Sequence, residues 1–173
     1  MQTKFCHKIF VLSLFAAVLC LFNTAFSQNG CFFSLQEAMK QPDSVRTLIL
    51  KKQHIKEFPV EILQMKNIER LDLSRNSIKE IPSSIKELKN LHYVNFAQNY
   101  LTSLPEEMAD LPVDTLILWD NQIRVFDQSF KKMKLKFLDI RAILMTRKEQ
   151  RAVKQIFPDA KIKKDHPCNC GHP

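Results

Sequence analysis

A spacing of apolar residues recurs five times between residues 45 and 140. Each recurrence places apolar residues at its first, fourth and sixth positions, with polar or variable residues between them, as in Val45, Leu48 and Leu50. The five recurrences begin at Val45, Ile68, Leu91, Val113 and Leu135. These starts lie 23, 23, 22 and 22 residues apart. Alternation over so few positions predicts short β-strands, each with one face buried.

The second half of each unit also has particular residue types at constant positions. An Asn follows three residues after the last apolar strand position, and it is replaced by Gln53 in the first unit. The Asn positions are Asn76, Asn99 and Asn121. Pro59, Pro82 and Pro105 then precede a helical turn such as residues 83–89, and Asp127 takes the proline's place in the fourth unit. A period of this length, held over five units, predicts a solenoid in which neighbouring units share one core.

The repeated pattern L-x-x-L-x-L-x-x-N-x-L-x-x-L-P resembles the leucine-rich-repeat family over residues 45–140, and the chain resembles small exported bacterial members. The resemblance implies an α/β fold: a right-handed curved horseshoe fragment with a parallel inner sheet, short convex helices and helical caps. An enclosed turn needs a side chain that both donates and accepts hydrogen bonds. We therefore expect the three Asn side chains to form an internal ladder.

Terminal repeats expose the core and need caps. Residues 28–44 form the expected N-terminal cap, with Ser34 as N-cap of a short helix and Glu37 three residues on, the spacing of a capping box. Residues 141–165 form the expected C-terminal cap. In this cap Thr146 begins a helix over residues 147–157, and an extended piece covers residues 160–162. The expected core contacts of that helix are Val153, Ile156 and Phe157.

Residues 1–27 have the pattern of a cleavable signal peptide. Lys4 and Lys8 precede an apolar run of about 14 residues, shorter than the roughly 20 that span a bilayer. Small residues then precede a predicted cleavage after Ser27. A signal anchor or a lipoprotein site at Cys20 is less favoured. The pattern predicts a protein that is secreted, periplasmic or on the cell surface.

Composition argues against an enzyme. The chain has two glycines, Gly30 and Gly171, both outside the repeats. Phosphate-cradling loops, dinucleotide fingerprints and nucleophile elbows need glycine at fixed places. Asp72, Asp120 and Asp139 could share a face, but no nucleophile or metal triad accompanies them. We expect no catalysis and no cofactor.

The resemblance implies ligand binding by the outward residues of the concave sheet. The only tryptophan, Trp119, falls in such a position, with Tyr93, Ile117 and Phe137 as expected neighbours. The charged rim is expected from Arg75, Asp120, Asp139 and Arg141. Exposed aromatics beside Arg are typical of binding hot spots. The alternative is that Trp119 folds down against its neighbours as part of the structure.

The predicted mature chain retains three cysteines, Cys31, Cys168 and Cys170. Residues 166–173 form a Cys/His tail whose ligand types suit Zn²⁺ or Cu⁺, but only one residue separates successive ligands. We expect no metal site. A local disulfide, a disulfide-linked dimer and an inert tail all remain open.

These features favour a non-catalytic module that recognises a protein or peptide partner outside the cytoplasm. One alternative is a structural or adhesive surface component that oligomerises through the tail cysteines. Another follows from the predicted mature chain, which loses Lys4 and Lys8 and so has 24 Lys and Arg against 18 Asp and Glu: an anionic glycan or lipid surface could bind the Lys-rich face. That face includes Lys131, Lys132, Lys134 and Lys136. A regulator of a signalling protein is a third alternative, which the signal peptide disfavours in the cytosol, and nucleic acid is a poor partner for an exported protein.

Overall fold

The computed structural model describes residues 30–166. Within them, seven parallel strands form one open sheet in chain order. The strands are β1 (Cys31–Phe32), β2 (Thr47–Ile49), β3 (Arg70–Asp72), β4 (Tyr93–Asn95), β5 (Thr115–Ile117), β6 (Phe137–Asp139) and β7 (Lys161–Lys163). The five predicted strands, β2 to β6, are confirmed, and β7 lies within one residue of the predicted extended piece. The two-residue strand β1 was not predicted, because it is too short to show alternation.

The strand register follows the sequence repeat. Leu48 pairs with Leu71, which pairs with Val94 in the next strand, so equivalent residues of successive units lie side by side. These central strand residues are fully buried. Burying an aliphatic side chain of this size contributes roughly 1.5–3 kcal/mol. The repeat therefore builds one core that is continuous along the solenoid.

Short 3₁₀ helices lie on the other side of the core in the described part of the chain. Their bounds are Pro42–Ser44, Val60–Gln64, Ser83–Glu87, Glu106–Asp110 and Gln128–Lys132. Pro59, Pro82 and Pro105 each precede one of them with an extended backbone. In the fourth unit Asp127 stands where the others have proline, and it caps the helix instead: its carboxylate accepts a hydrogen bond from the Ser129 amide at 2.7 Å. The helices are 3₁₀ rather than α because each has room for little more than one turn.

The predicted Asn ladder is confirmed. The Asn76 side-chain oxygen accepts hydrogen bonds from the amides of Gln53 and Ile55, at 3.0 and 3.1 Å. Its amide group donates to the carbonyls of Leu50 and Leu73, at 2.9 and 2.8 Å. Asn99 and Asn121 form equivalent bonds in the next units. Each Asn thus ties its own turn to the preceding repeat.

The two caps differ in how they begin. The first helix, α1 (Leu35–Met39), has Ser34 at its N-cap position, but the Ser34 side chain forms no capping bond. The predicted capping box is therefore wrong there, because Glu37 pairs with Lys40 at 2.9 Å instead of reaching back. In the second helix, α2 (Arg147–Ile156), the capping box at Thr146 is present.

Helix α2 closes the core at the C-terminal end. Val153, Ile156 and Phe157 are 2–4% exposed, as predicted. Phe157 contacts the rings of Phe126 and Phe130 edge-on, with ring centroids 5.3 and 6.4 Å away. The last repeat therefore ends against an aromatic cluster rather than water.

Gly30 has a structural role that the sequence did not indicate. It is buried and has φ of +66°, and a Cβ added there would lie 2.6 Å from the Ser44 carbonyl oxygen. Its own carbonyl accepts hydrogen bonds from the amides of Arg46 and Thr47. Only glycine combines this backbone conformation with so close an approach. Gly30 thus attaches β1 to the first repeat.

The predicted signal peptide and most of the Cys/His tail lie outside the described residues. Within residues 30–166, none of the helices has the length and apolar character needed to span a membrane.

Candidate binding surface

Three neighbouring strands present a nine-residue surface, here called the concave grid. Its rows are Tyr93, Asn95, Ala97; Thr115, Ile117, Trp119; and Phe137, Asp139, Arg141. Strand pairing aligns Tyr93 with Thr115 and Thr115 with Phe137. Backbone hydrogen bonds from Gln98 to Trp119 and from Asp120 to Arg141 continue this alignment beyond the strand ends. With standard strand spacings the grid covers about 10 Å by 13 Å.

The Tyr93 ring forms a cation–π contact with Arg70. The Arg70 guanidinium carbon lies 4.0 Å from the centre of the Tyr93 ring. Such stacking contributes about 0.5–1 kcal/mol at exposed sites. Burial raises the pKa of the Tyr93 phenol, and the charge of Asp72 raises it further. The phenol therefore stays neutral at physiological pH and is available as a hydrogen-bond donor or acceptor.

Ile117 lies at the centre of the grid, and Trp119 lies at the end of the middle row. Both are partly exposed, so neither belongs to the buried core. Trp119 lies between Ala97, which is 1% exposed, and Arg141 on the neighbouring strand. Phe137 is also partly exposed, and the Lys163 amine lies 5.5 Å from its ring centre. The four predicted apolar side chains therefore share one face that is partly open to solvent.

Asp139 differs from the sequence expectation. It was expected at the exposed rim, but its side chain is 5% exposed, whereas that of Arg141 is 48% exposed. Two parallel hydrogen bonds join them: Arg141 Nε to Asp139 Oδ1 at 2.9 Å, and Arg141 Nη2 to Oδ2 at 2.7 Å. This pairing raises the pKa of Arg141. Asp139 is thus a buried positioning residue, and Arg141 is the group offered to solvent.

A polar line that the sequence analysis missed crosses the sheet at the last strand position. Asp72 accepts from the Ser74 amide at 2.8 Å and from the Asn95 side chain at 2.9 Å. Asn95 in turn accepts from the Ala97 amide at 3.1 Å. An Asp or Asn at the last strand position is the available signal, since its side chain can accept a hydrogen bond from the backbone amide two residues later and so cap the turn. The carboxylates of Asp72 and Asp139 have separate partners and do not form an acid pair.

The other predicted rim residues belong to a row with an unusual backbone. Lys52, Arg75, Gln98, Asp120 and Ala142 have φ between 53° and 60°. Arg75 and Asp120 are both exposed, and Asp120 accepts a hydrogen bond from the Gln98 side chain at 3.2 Å. The sequence concealed this row because none of its members is glycine. The left-handed backbone of this row turns the chain sharply at the edge of the grid and so sets the positions of the Cβ atoms of Arg75 and Asp120.

The cysteines and metal-ligand residues contribute no site within residues 30–166. Cys31 is a free thiol that is partly buried, and this burial raises its pKa. No group of three or more His, Cys, Asp or Glu in this range is arranged to hold a metal ion. Cys168, Cys170 and His172 lie outside the described residues.

Comparison with known proteins agrees with the repeat pattern. A family model of leucine-rich repeats, two copies, matches residues 66–109. A leucine-rich-repeat protein of Leptospira interrogans is similar with a TM-score of 0.70 and 27% identity, over 77% of this chain and 34% of that one. Internalin C2 of Listeria monocytogenes is similar with a TM-score of 0.62 and 18% identity, over 78% of this chain and 57% of that one. The chain thus spans less than two thirds of these relatives. No curated protein matches its sequence.

Proposed function

Because the chain is built of leucine-rich repeats, we propose that it is a non-catalytic module that recognises a protein or peptide partner through the concave grid, outside the cytoplasm. The fold suggests a protein-binding role. The observation that carries the finer proposal is the grid itself, where partly exposed aromatic side chains lie beside an Arg held in one orientation. Trp, Tyr and Arg are the residue types that dominate binding hot spots.

The grid is organised before any partner arrives. Asp139 fixes Arg141 through two hydrogen bonds, and Arg70 stacks on Tyr93. Immobilising a flexible side chain on binding costs about 0.5–1.5 kcal/mol. Side chains that are already fixed avoid much of this cost, so a larger share of the contact energy becomes affinity.

The size of the grid limits the partner. Its area of roughly 130 Å², from the strand spacings, is far below the roughly 800 Å² per partner of a standard protein interface. A larger partner must therefore extend over neighbouring strands, and a short peptide could be centred on the grid alone. A short peptide that contacts the grid alone should bind with modest affinity, because the contact area is small. The extracellular part of the proposal depends on the signal-peptide pattern of residues 1–27.

Replacing Trp119 tests the proposal. The matched control is Val125→Ala, because Val125 is an apolar residue of the same repeat, 72% exposed and outside the grid. Immobilised wild type would first be used to capture partners from the native extracellular medium. The captured protein would then be titrated calorimetrically against wild type and both variants. We expect Trp119→Ala to weaken binding by about thirtyfold, as for a hot-spot residue, and Val125→Ala to leave it unchanged.

Thermal unfolding of the same variants separates binding from folding. Trp119→Ala should melt within a few degrees of wild type, since Trp119 is not part of the buried core. If it unfolds instead, Trp119 is structural and the grid proposal fails. Equal partner affinity in wild type and Trp119→Ala would place the binding surface elsewhere.

A further inference from the structure

The charge of the described chain is concentrated at one end. Residues 130–166 contain 12 Lys and Arg against 4 Asp and Glu, whereas residues 30–129 contain 12 against 14. The excess positive charge therefore belongs to the last repeat and the C-terminal cap. A region with one sign of charge attracts oppositely charged ligands over about a Debye length.

The cap also contains a groove. It is about 1020 Å³ in volume and lies between α2 and the segment that follows β7. We call it the cationic groove and define it by its four Lys and Arg residues: Arg147, Arg151 and Lys154 from α2, and Lys164 from the segment after β7. The three residues of α2 follow i, i+4 and i+7 spacing, so they share one helix face and span about 10 Å.

Hydrogen bonds fix both walls of the groove. The Gln150 side chain, 7% exposed, donates to the Asp165 carbonyl at 3.2 Å and joins the two walls. The Asp165 carboxylate accepts from the Ala142 amide at 2.5 Å. The Lys154 amine donates to the Pro158 carbonyl at 2.8 Å, at the end of α2. Asp165 is the single acidic residue among those that line the groove.

Most of the groove's cations are not neutralised by the protein. Among residues 30–166, Arg147, Arg151 and Lys164 take part in no ion pair. Two lysines of the predicted Lys-rich face differ in this respect, because Lys132 pairs with Asp110 and Lys136 pairs with Asp114. The groove is therefore a stronger anion-binding candidate than that face.

We propose that the cationic groove binds a linear anionic polysaccharide, at a site separate from the concave grid. The groove lining contains no aliphatic side chain and no Phe, Tyr or Trp, and His166 supplies its one ring. A peptide would therefore lack an apolar pocket for an anchor side chain. A row of cations along one helix face suits a thread-like chain better than a flat membrane. Arg pairs sulfate or carboxylate groups through two parallel hydrogen bonds.

Binding of dextran sulfate by the full chain tests this proposal, with uncharged dextran as the matched polymer. The groove variant carries Arg147→Gln, Arg151→Gln and Lys164→Gln. The control variant carries Lys131→Gln, Lys134→Gln and Lys148→Gln, which removes the same charge from exposed positions in the same half of the chain. Circular dichroism should show that both variants fold, since all six positions are exposed.

We expect the groove variant to bind dextran sulfate about tenfold more weakly than wild type, because three charge-assisted contacts are lost. The control variant should change affinity by less than about threefold, since only the long-range field is altered. Trp119→Ala should bind as wild type does, which keeps this result independent of the concave grid. Equal losses in the two charge variants would show a diffuse field and overturn the proposal.

Two further ligands decide the class of partner. Vesicles of phosphatidylcholine and phosphatidylglycerol, and poly-glutamate of matched charge, would be titrated in parallel. Dextran sulfate should bind most tightly of the three. Tighter binding to the vesicles would indicate a lipid surface, and tighter binding to poly-glutamate an acidic peptide; either result would overturn the polysaccharide proposal.

Discussion

One residue after each of strands β2 to β6 adopts a left-handed backbone conformation, which is unfavourable for a residue with a Cβ. Lys52, Arg75, Gln98, Asp120 and Ala142 all have φ between 53° and 60°. This left-handed conformation costs roughly 1–2 kcal/mol for a residue with a Cβ. The cost persists because neighbouring backbone hydrogen bonds determine the turn, such as Lys52 to Ser74 and Arg75 to Ala97. Side chains that glycine would lack are thereby kept along one edge of the concave grid.

Replacing Ala142 with glycine tests this backbone strain. Ala142 is exposed and has φ of 53°, so Ala142→Gly removes the strain and little packing. We expect the free energy of unfolding to rise by about 0.5–1 kcal/mol, the relief being partly offset by the greater freedom of glycine in the unfolded chain. Denaturant unfolding measures the change.

An exposed alanine in an ordinary conformation gives the control. Ala152 lies inside α2, where glycine should lower stability by about 1 kcal/mol. Opposite signs for the two substitutions are the expected outcome. A loss of stability at both positions would mean that the left-handed row is not strained.

At the scale of elements, exposed ion pairs join consecutive units. Lys66 lies 2.6 Å from Glu87, and Lys136 lies 3.0 Å from Asp114. Lys132 pairs with Asp110, and each of these two residues ends a 3₁₀ helix. Exposed pairs contribute little stability individually. They nevertheless align the outer helices of neighbouring repeats and perturb the carboxyl groups concerned.

The Asp110–Lys132 pair makes a prediction about pH. The hydrogen bond from Lys132, and then its charge, lower the pKa of Asp110 below its usual 3.8. The pair's stabilising effect is therefore complete above pH 3.8 and is lost as the pH falls through the lower folded-state pKa. Lys132→Gln should raise the Asp110 pKa towards its usual value, as NMR titration of the side-chain carboxyl would show.

Lys131→Gln provides the comparison for this titration. Lys131 is exposed on the same 3₁₀ helix and belongs to no ion pair among the described residues. Its removal should leave the Asp110 pKa nearly unchanged. Equal shifts in the two variants would mean that general charge, not the specific contact, sets this pKa.

For the whole molecule, the sequence predicted those features that each repeat carries within itself. The five strands and the ladder of Asn76, Asn99 and Asn121 follow from residue types at fixed spacing, and they are confirmed. Gly30 could not be interpreted in this way. Residue 30 must be glycine because a Cβ there would clash with the Ser44 carbonyl oxygen, which only the fold brings within reach.

The candidate surfaces show the same limit. The repeat placed Trp119, Ile117 and Phe137 on one face, because strand register follows the repeat. It could not show that Asp139 is buried beneath Arg141, since that depends on side-chain conformation. The cationic groove was also hidden, because it needs α2 to lie beside a segment that follows an intervening strand.

The C-terminal cap makes a prediction about how the solenoid unfolds. Phe157 is 2% exposed and packs edge-on against Phe126 and Phe130. Phe157→Ala should lower the free energy of unfolding by about 3–5 kcal/mol, since it leaves a cavity at the end of the core. Because repeats are stabilised by their neighbours, the loss should be greatest at the C-terminal end. Hydrogen exchange should show that β6 and β7 lose protection before β3 and β4. The control is Leu144→Ala, at a 70% exposed position in the same cap, which should change neither stability nor hydrogen exchange. If all strands of Phe157→Ala lose protection equally, the cap and the repeats unfold as one unit.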